Sequence, residues 1–165
     1  MRKRGFTLIE LLVVISIMSI LTVITVSQFT TATKKARDVQ RKGDLNALSK
    51  ALQMYYADYG NFPSSTDATR PIDINAKWGM EFSDADYIYM KVLPDEKTTG
   101  MPDFCYVVTA DQKSYGLFAM LESTTDLDCH NTNGIGDYIH CTGKRYCYSV
   151  VSPNIDVSAL TGVNP

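Results

Sequence analysis

Arg2-Lys3-Arg4-Gly5-Phe6-Thr7-Leu8-Ile9-Glu10-Leu11-Leu12-Val13-Val14 opens a run that stays almost wholly apolar to Phe29. From Phe6 to Phe29 the chain counts about 24 residues, or ~36 Å of helix at ~1.5 Å per residue, enough to cross a hydrocarbon core of ~30 Å with some tilt. Three basic residues flank the run on the side expected to remain cytoplasmic. Within it one residue ionises, Glu10. A carboxylate in a membrane-spanning helix is costly and asks for a partner or a purpose, so Glu10 is a functional candidate. A secretory signal peptide is the first rival, but its apolar core is shorter and its small-residue cleavage site follows the core, whereas Gly5 precedes this one. A plain anchor is the second rival, and it gives no reason for Glu10 or for Gly5-Phe6 at the boundary.

Working outward, the apolar run passes into a polar stretch with no Gly-Pro interruption. Lys34, Lys35, Arg37, Arg41 and Lys42 mix with Asp38 and Asp44; then Leu45, Leu48, Leu52, Tyr55 and Tyr59 recur every three or four residues. That stripe predicts one helical face packed on a sheet, with Gly60 and Pro63 ending the helix after ~53 residues and ~80 Å. β-Branched and hydroxyl residues at Thr22, Val23, Ile24, Thr25 and Val26 predict a weaker helix there. The basic stretch from Lys34 to Lys42 reads as a solvated or lipid-facing surface, with DNA as the rival.

From Ser64 to Asp103 the composition shifts to Pro, Asp, Thr and Ser with scattered aromatics. This region reads as a long connection with a short helical turn at Ala76 to Phe82 or Ser83 to Met90, and with Trp78 and Phe82 packed on the long helix. Phe104 to Ala110 and Tyr115 to Leu121 alternate as strands around the hairpin-length turn Asp111-Gln112-Lys113-Ser114, and Arg145 to Val151 supplies a third strand. The segment after Pro153 reads as loosely held. The fold class expected is therefore α+β, a long N-terminal helix on a small antiparallel sheet of about three strands.

The N-terminal motif resembles that of the type IV pilin superfamily, which includes the pseudopilins of type II secretion. Tyr59-Gly60-Asn61-Phe62-Pro63, Tyr89-Met90-Lys91-Val92-Leu93-Pro94-Asp95 and Gly100-Met101-Pro102 are similar to segments of the major pseudopilin. The resemblance implies cleavage after Gly5 by a prepilin peptidase, methylation of the new Phe6 amine, and pairing of Glu10 with the Phe6 amine of a neighbour during assembly. It implies a homopolymer joined through N-terminal helices, a membrane assembly platform, and an inner-membrane single-pass precursor with its head outside that passes into an extracellular or periplasmic filament. The layout expected is a leader over 1–5, a membrane and filament-core helix over 6–29, an amphipathic helix over 30–62 and a head over 63–165. A pilus subunit, a major pseudopilin of a type II secretion system and a DNA-uptake or surface-binding pilin are the functions in play.

The formal charge is −2, from 16 basic and 18 acidic residues; without Arg2, Lys3 and Arg4 it becomes 13 against 18, or −5, which disfavours bulk nucleic-acid binding. No phosphate loop, nucleophile elbow or metalloprotease helix occurs, so an enzyme is not expected. The four cysteines suit an oxidising compartment and allow three pairings; Cys129 with Cys141 and Cys105 with Cys147 is the preferred one, the second bridge failing if the sheet is a simple three-strand meander. The rival is zinc on Cys129, His130, His140 and Cys141, whose adjacent Cys-His pairs lack the usual ligand spacing. Asp126, Asp128, Asn131, Asn133 and Asp137 offer oxygens for calcium, and a calcium site in this loop is what the pseudopilin resemblance implies; a solvated acidic turn is the alternative.

Overall fold

The computed structural model describes residues 5–64, 78–123, 125–129, 138–140, 144–155 and 160, and of residues 24, 26, 27, 138–140, 144 and 145 the backbone alone. The architecture is α+β. Helix α1 spans Leu8–Tyr59 without a break, through the β-branched stretch at 22–26. Gly60 ends it: its φ of 67° is one that side chains resist, and its N–H closes the last turn on the Tyr56 carbonyl at 2.8 Å. Residues up to Arg37 and those from Asp38 onward form two separate compact units.

In the second unit, strands β3 (Cys105–Val108), β4 (Tyr115–Ala119) and β7 (Tyr148–Val151) form an antiparallel sheet in the order β3-β4-β7. Cys105 faces Phe118, and Phe118 faces Ser149, across the ladder. β4 is the centre, buried along its whole length, and its alternation sorts two cores. Tyr115, Leu117 and Ala119 join Leu45, Leu48, Leu52 and Tyr55 of α1, as the helical stripe predicts. Phe118 points the other way, to Cys105, Tyr146 and Leu160. The hairpin turn pins the helix end: the Phe62 N–H donates to the Gln112 carbonyl at 2.8 Å and Asn61 Nδ2 to Gln112 Oε1 at 2.8 Å.

Four expectations need correction. The helical turn near residues 83–90 is instead a ribbon of β1 (Phe82–Ser83) and β2 (Ile88–Met90). Asp84 Oδ1 accepts from the Asp86 and Tyr87 N–H groups and so closes the tight turn that joins the two strands. Phe82 is buried against Tyr55, while Trp78 stacks edge-on with Phe104.

The third strand also divides. Lys144–Tyr146 (β6) pairs with Tyr138–His140 (β5), and the chain then breaks step at Cys147, whose N–H donates to the Ala119 carbonyl at 3.2 Å, before β7 begins. Nor is the segment after Pro153 wholly loose, because Leu160 is buried in the second core. A Cβ on Gly116 would stand 2.4 Å from Leu160 Cδ1, so the bare backbone there makes the room. Finally, the cysteines pair otherwise: Cys129 bonds Cys147 with Cα atoms 4.7 Å apart, and Cys105 is bonded elsewhere. With β4 between β3 and β7, the strands carrying Cys105 and leading from Cys147 lie two ladder spacings apart, too far for a direct bridge.

Candidate functional site

The candidate site begins where the helix begins. Gly5, Phe6 and Thr7 precede α1 as irregular chain, and Arg2, Lys3 and Arg4 lie outside the described residues. Thr7 caps the helix: its N–H and Oγ1 both donate to Glu10 Oε2, at 2.8 and 2.7 Å, and the Glu10 N–H points back at Thr7 Oγ1, 3.4 Å away. This is a reciprocal cap between a threonine and a glutamate three residues on, and the spacing Thr7-Leu8-Ile9-Glu10 is its sequence signal. The apolar run around Glu10 masks this signal, because it sets the carboxylate against the membrane before its own helix terminus. Phe6 stands open, with 77% of its surface exposed.

Beyond the cap, the large apolar residues from Leu8 to Leu21 are 42% to 82% exposed. The polar side chains among them turn inward on the helix itself. Ser16 donates to the Val13 carbonyl, Ser19 to Ile15, Thr22 to Met18, Thr25 to Leu21 and Thr33 to Phe29, all within 2.7 to 2.8 Å. A helix that shows hydrocarbon outward and satisfies its hydroxyls on its own backbone suits surroundings without water. By length and composition it is long enough to cross a membrane.

The second half of α1 carries the head's polar anchor, and here the solvated reading of the basic stretch fails for two of its members. Arg41 is buried and bonds three carboxylates: Asp38 at 2.6 Å, Glu122 at 2.9 Å, and Glu96 through Nε and Nη2. Asp38 in turn accepts the backbone N–H groups of Glu122 and Ser123, both at 2.9 Å, and Glu96 accepts that of Thr98 at 2.8 Å. One guanidinium therefore ties the helix to two loops, all three of its nitrogens meeting carboxylates and Nη2 also donating to Thr98 Oγ1, a spread that a lysine could not match. Burial works to lower the Arg41 pKa, but Glu96, Glu122 and Asp38 together hold it above its ordinary value. Lys34 and Lys35 remain exposed.

Lys42 does the same for the next loop, reaching Asp126 and Asp128 at 2.7 Å each. Desolvation pulls its pKa down, and the two carboxylates more than restore it. Those carboxylates are two of the five calcium candidates; Asn131, Asn133 and Asp137 lie outside the described residues. A divalent ion at Asp126 and Asp128 would have to displace an ammonium already in place, so this pair does not fit a calcium site as it stands. The zinc set loses Cys129 to its disulfide, and His130, Cys141 and the His140 side chain lie outside the described residues.

A third polar group sits at the last turn of α1. Tyr59 donates to Asp84 Oδ2 at 2.6 Å, and the Tyr89 hydroxyl lies 2.8 Å from the same oxygen and 2.9 Å from Asp58 Oδ2. The Tyr59 hydroxyl, with the Asp86 N–H and Tyr89 behind it, holds Asp84 down at about 2, and the same bond pushes Tyr59 up to about 12.

Compared with known proteins, residues 1–26 match the family described as the prokaryotic N-terminal methylation motif. Over 64 residues the chain is 39% identical to the type II secretion system core protein G of Pseudomonas aeruginosa strain PAO1, which is 39% of this chain and 45% of that protein. The chain thus spans less than half the length of this relative. No solved structure matches. Neither likeness is to an enzyme.

Proposed function

From an N-terminus of the type IV pilin superfamily, we propose that this chain is the structural subunit of a pilus-like filament. It enters the membrane as a prepilin with leader 1–5, loses the leader after Gly5 to a prepilin peptidase, is methylated on the Phe6 amine, and polymerises through the helix that follows. Residues 6–29 form the membrane and then the filament core, residues 30–62 carry the helix into the head, and residues 63–165 face outward from the inner membrane and later cover the fibre.

The observation that supports this most is the outward-turned apolar surface from Leu8 to Leu21, broken by the single carboxylate of Glu10. Such a surface is stable against lipid before assembly and against sister helices after it. Glu10 is satisfied by Thr7 in the separate chain, and a neighbour's Phe6 ammonium is the stronger partner once water is gone. Mass spectrometry of the exported protein should find N-methyl-Phe6 as the first residue. Glu10→Ala should insert normally yet lose filament yield; recovery of intact Met1, or undiminished filaments from the variant, would overturn the reading.

The identity to core protein G favours the secretion pseudopilin over the retractile pilus. Deleting the gene in its own cell distinguishes them: loss of exported enzymes from the medium marks the pseudopilin, and loss of surface fibres with secretion intact marks the pilus.

A further inference from the structure

The head holds one more built feature, which assembly through the first thirty residues does not use. The last turn of α1 and the β1–β2 ribbon enclose an open cleft of about 520 Å³, within the range of ligand sites. Met54, Tyr59 and Tyr87 form its walls, with Tyr89 beneath; Asp58, Asp84 and Asp86 supply its charge. Among the described residues no lysine, arginine or histidine pairs with any of these three carboxylates.

Two independent properties indicate what the cleft takes. Carboxylates beside open tyrosine faces attract an ammonium or guanidinium both by charge and through the ring quadrupole. Tyr59 and Tyr87 pack on Tyr55 and Tyr89 but remain 51% and 59% exposed, so each keeps ring surface open to the cleft. Met54 in the wall beside them is also about half exposed, apolar surface left uncovered of the kind that meets another protein.

The charge of the chain indicates whose cation it is. Residues 38–165 hold 10 basic and 17 acidic residues, while residues 6–37 hold three basic and one acidic. The acidic part of one molecule is complementary to the basic part of another. Within that basic part Lys34 and Lys35 are adjacent and exposed. Among the other described cations, Arg37 is half-buried, Arg41 is enclosed by carboxylates, Lys42 is paired, Lys113 is held by the Gly60 carbonyl, and Lys50, Lys91 and Lys97 stand singly.

We propose that the Tyr/Asp cleft receives the ammonium groups of Lys34 and Lys35 from a second copy of this chain. The contact rests on the filament reading and adds to it a lateral clasp between head and stem, outside the apolar core of the fibre.

The test uses the full chain, which among its described residues has no free cysteine to interfere, produced with its peptidase and assembly machinery. Two differently tagged copies, one carrying Lys35→Cys and the other Asp86→Cys, are co-produced and mildly oxidised. A disulfide joining the two tags in the filament fraction, with none when Lys97→Cys replaces Lys35→Cys, is the expected result. In parallel, Lys34→Glu with Lys35→Glu should cut filament yield about tenfold through like-charge juxtaposition, and adding Asp58→Lys with Asp86→Lys should restore most of it. Filaments without the cross-link, an equal cross-link from Lys97→Cys, or a link from Asp86→Cys to a different protein would overturn the clasp while leaving the filament reading intact. If the unaltered chain forms no filament under the same conditions, the filament reading falls and the clasp with it. Should the doubly reversed head not fold, the cross-link still decides.

Discussion

Up to Arg37 the chain turns its apolar side chains outward and its hydroxyls onto its own backbone; from Asp38 onward it buries Leu45, Leu48 and Leu52 and even draws Arg41 and Asp38 out of water. The same helix therefore obeys two opposite rules in its two parts. The difference identifies the solvent each part is made for. Among the described residues of the head, the buried charges Asp38 and Arg41 each meet an opposite charge or a backbone donor, as a part made for water requires. The described stem residues have no such closure within one chain, and in the proposed filament their surface is covered by lipid and then by other stems.

This contrast can be broken most severely at Arg41. Replacing it by methionine keeps the bulk but leaves Asp38, Glu96 and Glu122 as buried carboxylates without their cation, and should cost ~3 to 5 kcal/mol. Denaturant unfolding of the full chain in detergent, followed through the head's tyrosines, should show the loss, while the stem's helicity stays unchanged. Next in size is the Cys129–Cys147 bond, which closes 18 residues of chain. The paired change Cys129→Ala with Cys147→Ala should remove ~3 kcal/mol by freeing the unfolded chain, read as a fall of several degrees in melting temperature, again confined to the head.

A sharper probe lies at the other end. Thr7→Ala removes the cap but spares the charge of Glu10, so it should cost the helix terminus ~1 kcal/mol and leave filament assembly standing. If instead it stops assembly as Glu10→Ala is expected to, capping rather than pairing is what the carboxylate does. Lys42→Met should cost at most ~1 kcal/mol, since its pairs are partly exposed. Its interest is in the partner ion: calcium should stabilise this variant and not the unaltered chain, as thermal melts with calcium or a chelator would record.

The smallest effect is that of pH on the β1–β2 ribbon. The Asp84 pKa falls from the ordinary 3.8 to about 2 in the folded state, so its contribution is present above pH 4 and lost as pH drops through about 2. Tyr59, raised from 10.0 to about 12, contributes fully below pH 10 and loses its hold as pH climbs through about 12. Hydrogen exchange of the Asp86 and Tyr87 N–H groups across these two windows should show loosening at both ends and none between.

Much of this was legible from residue order because it rests on periodicity and punctuation. The Leu45-Leu48-Leu52-Tyr55 stripe, the stop at Gly60 and the hairpin around Asp111 are local signals, and each element stands where its signal lies. Arg41 was illegible for the opposite reason. Its carboxylates come from positions 96 and 122, and nothing in the run Lys34 to Lys42 separates a buried cation from a solvated one. The cysteine pairing failed on the same ground, since the strand order that decides it is a property of the whole sheet. The Thr7 cap is local and readable, but its partner Glu10 sits in an apolar run whose stronger signal overlies it.

Leu160 carries a consequence in the order of events. It fills the second core against Phe118, Tyr146 and Cys105, every one of which the ribosome makes before it. That side of the sheet thus stays open until Leu160 arrives. During that interval Cys105 is accessible to oxidants and isomerases, and the arrival of Leu160 closes the period in which a wrong bridge from it is easily corrected.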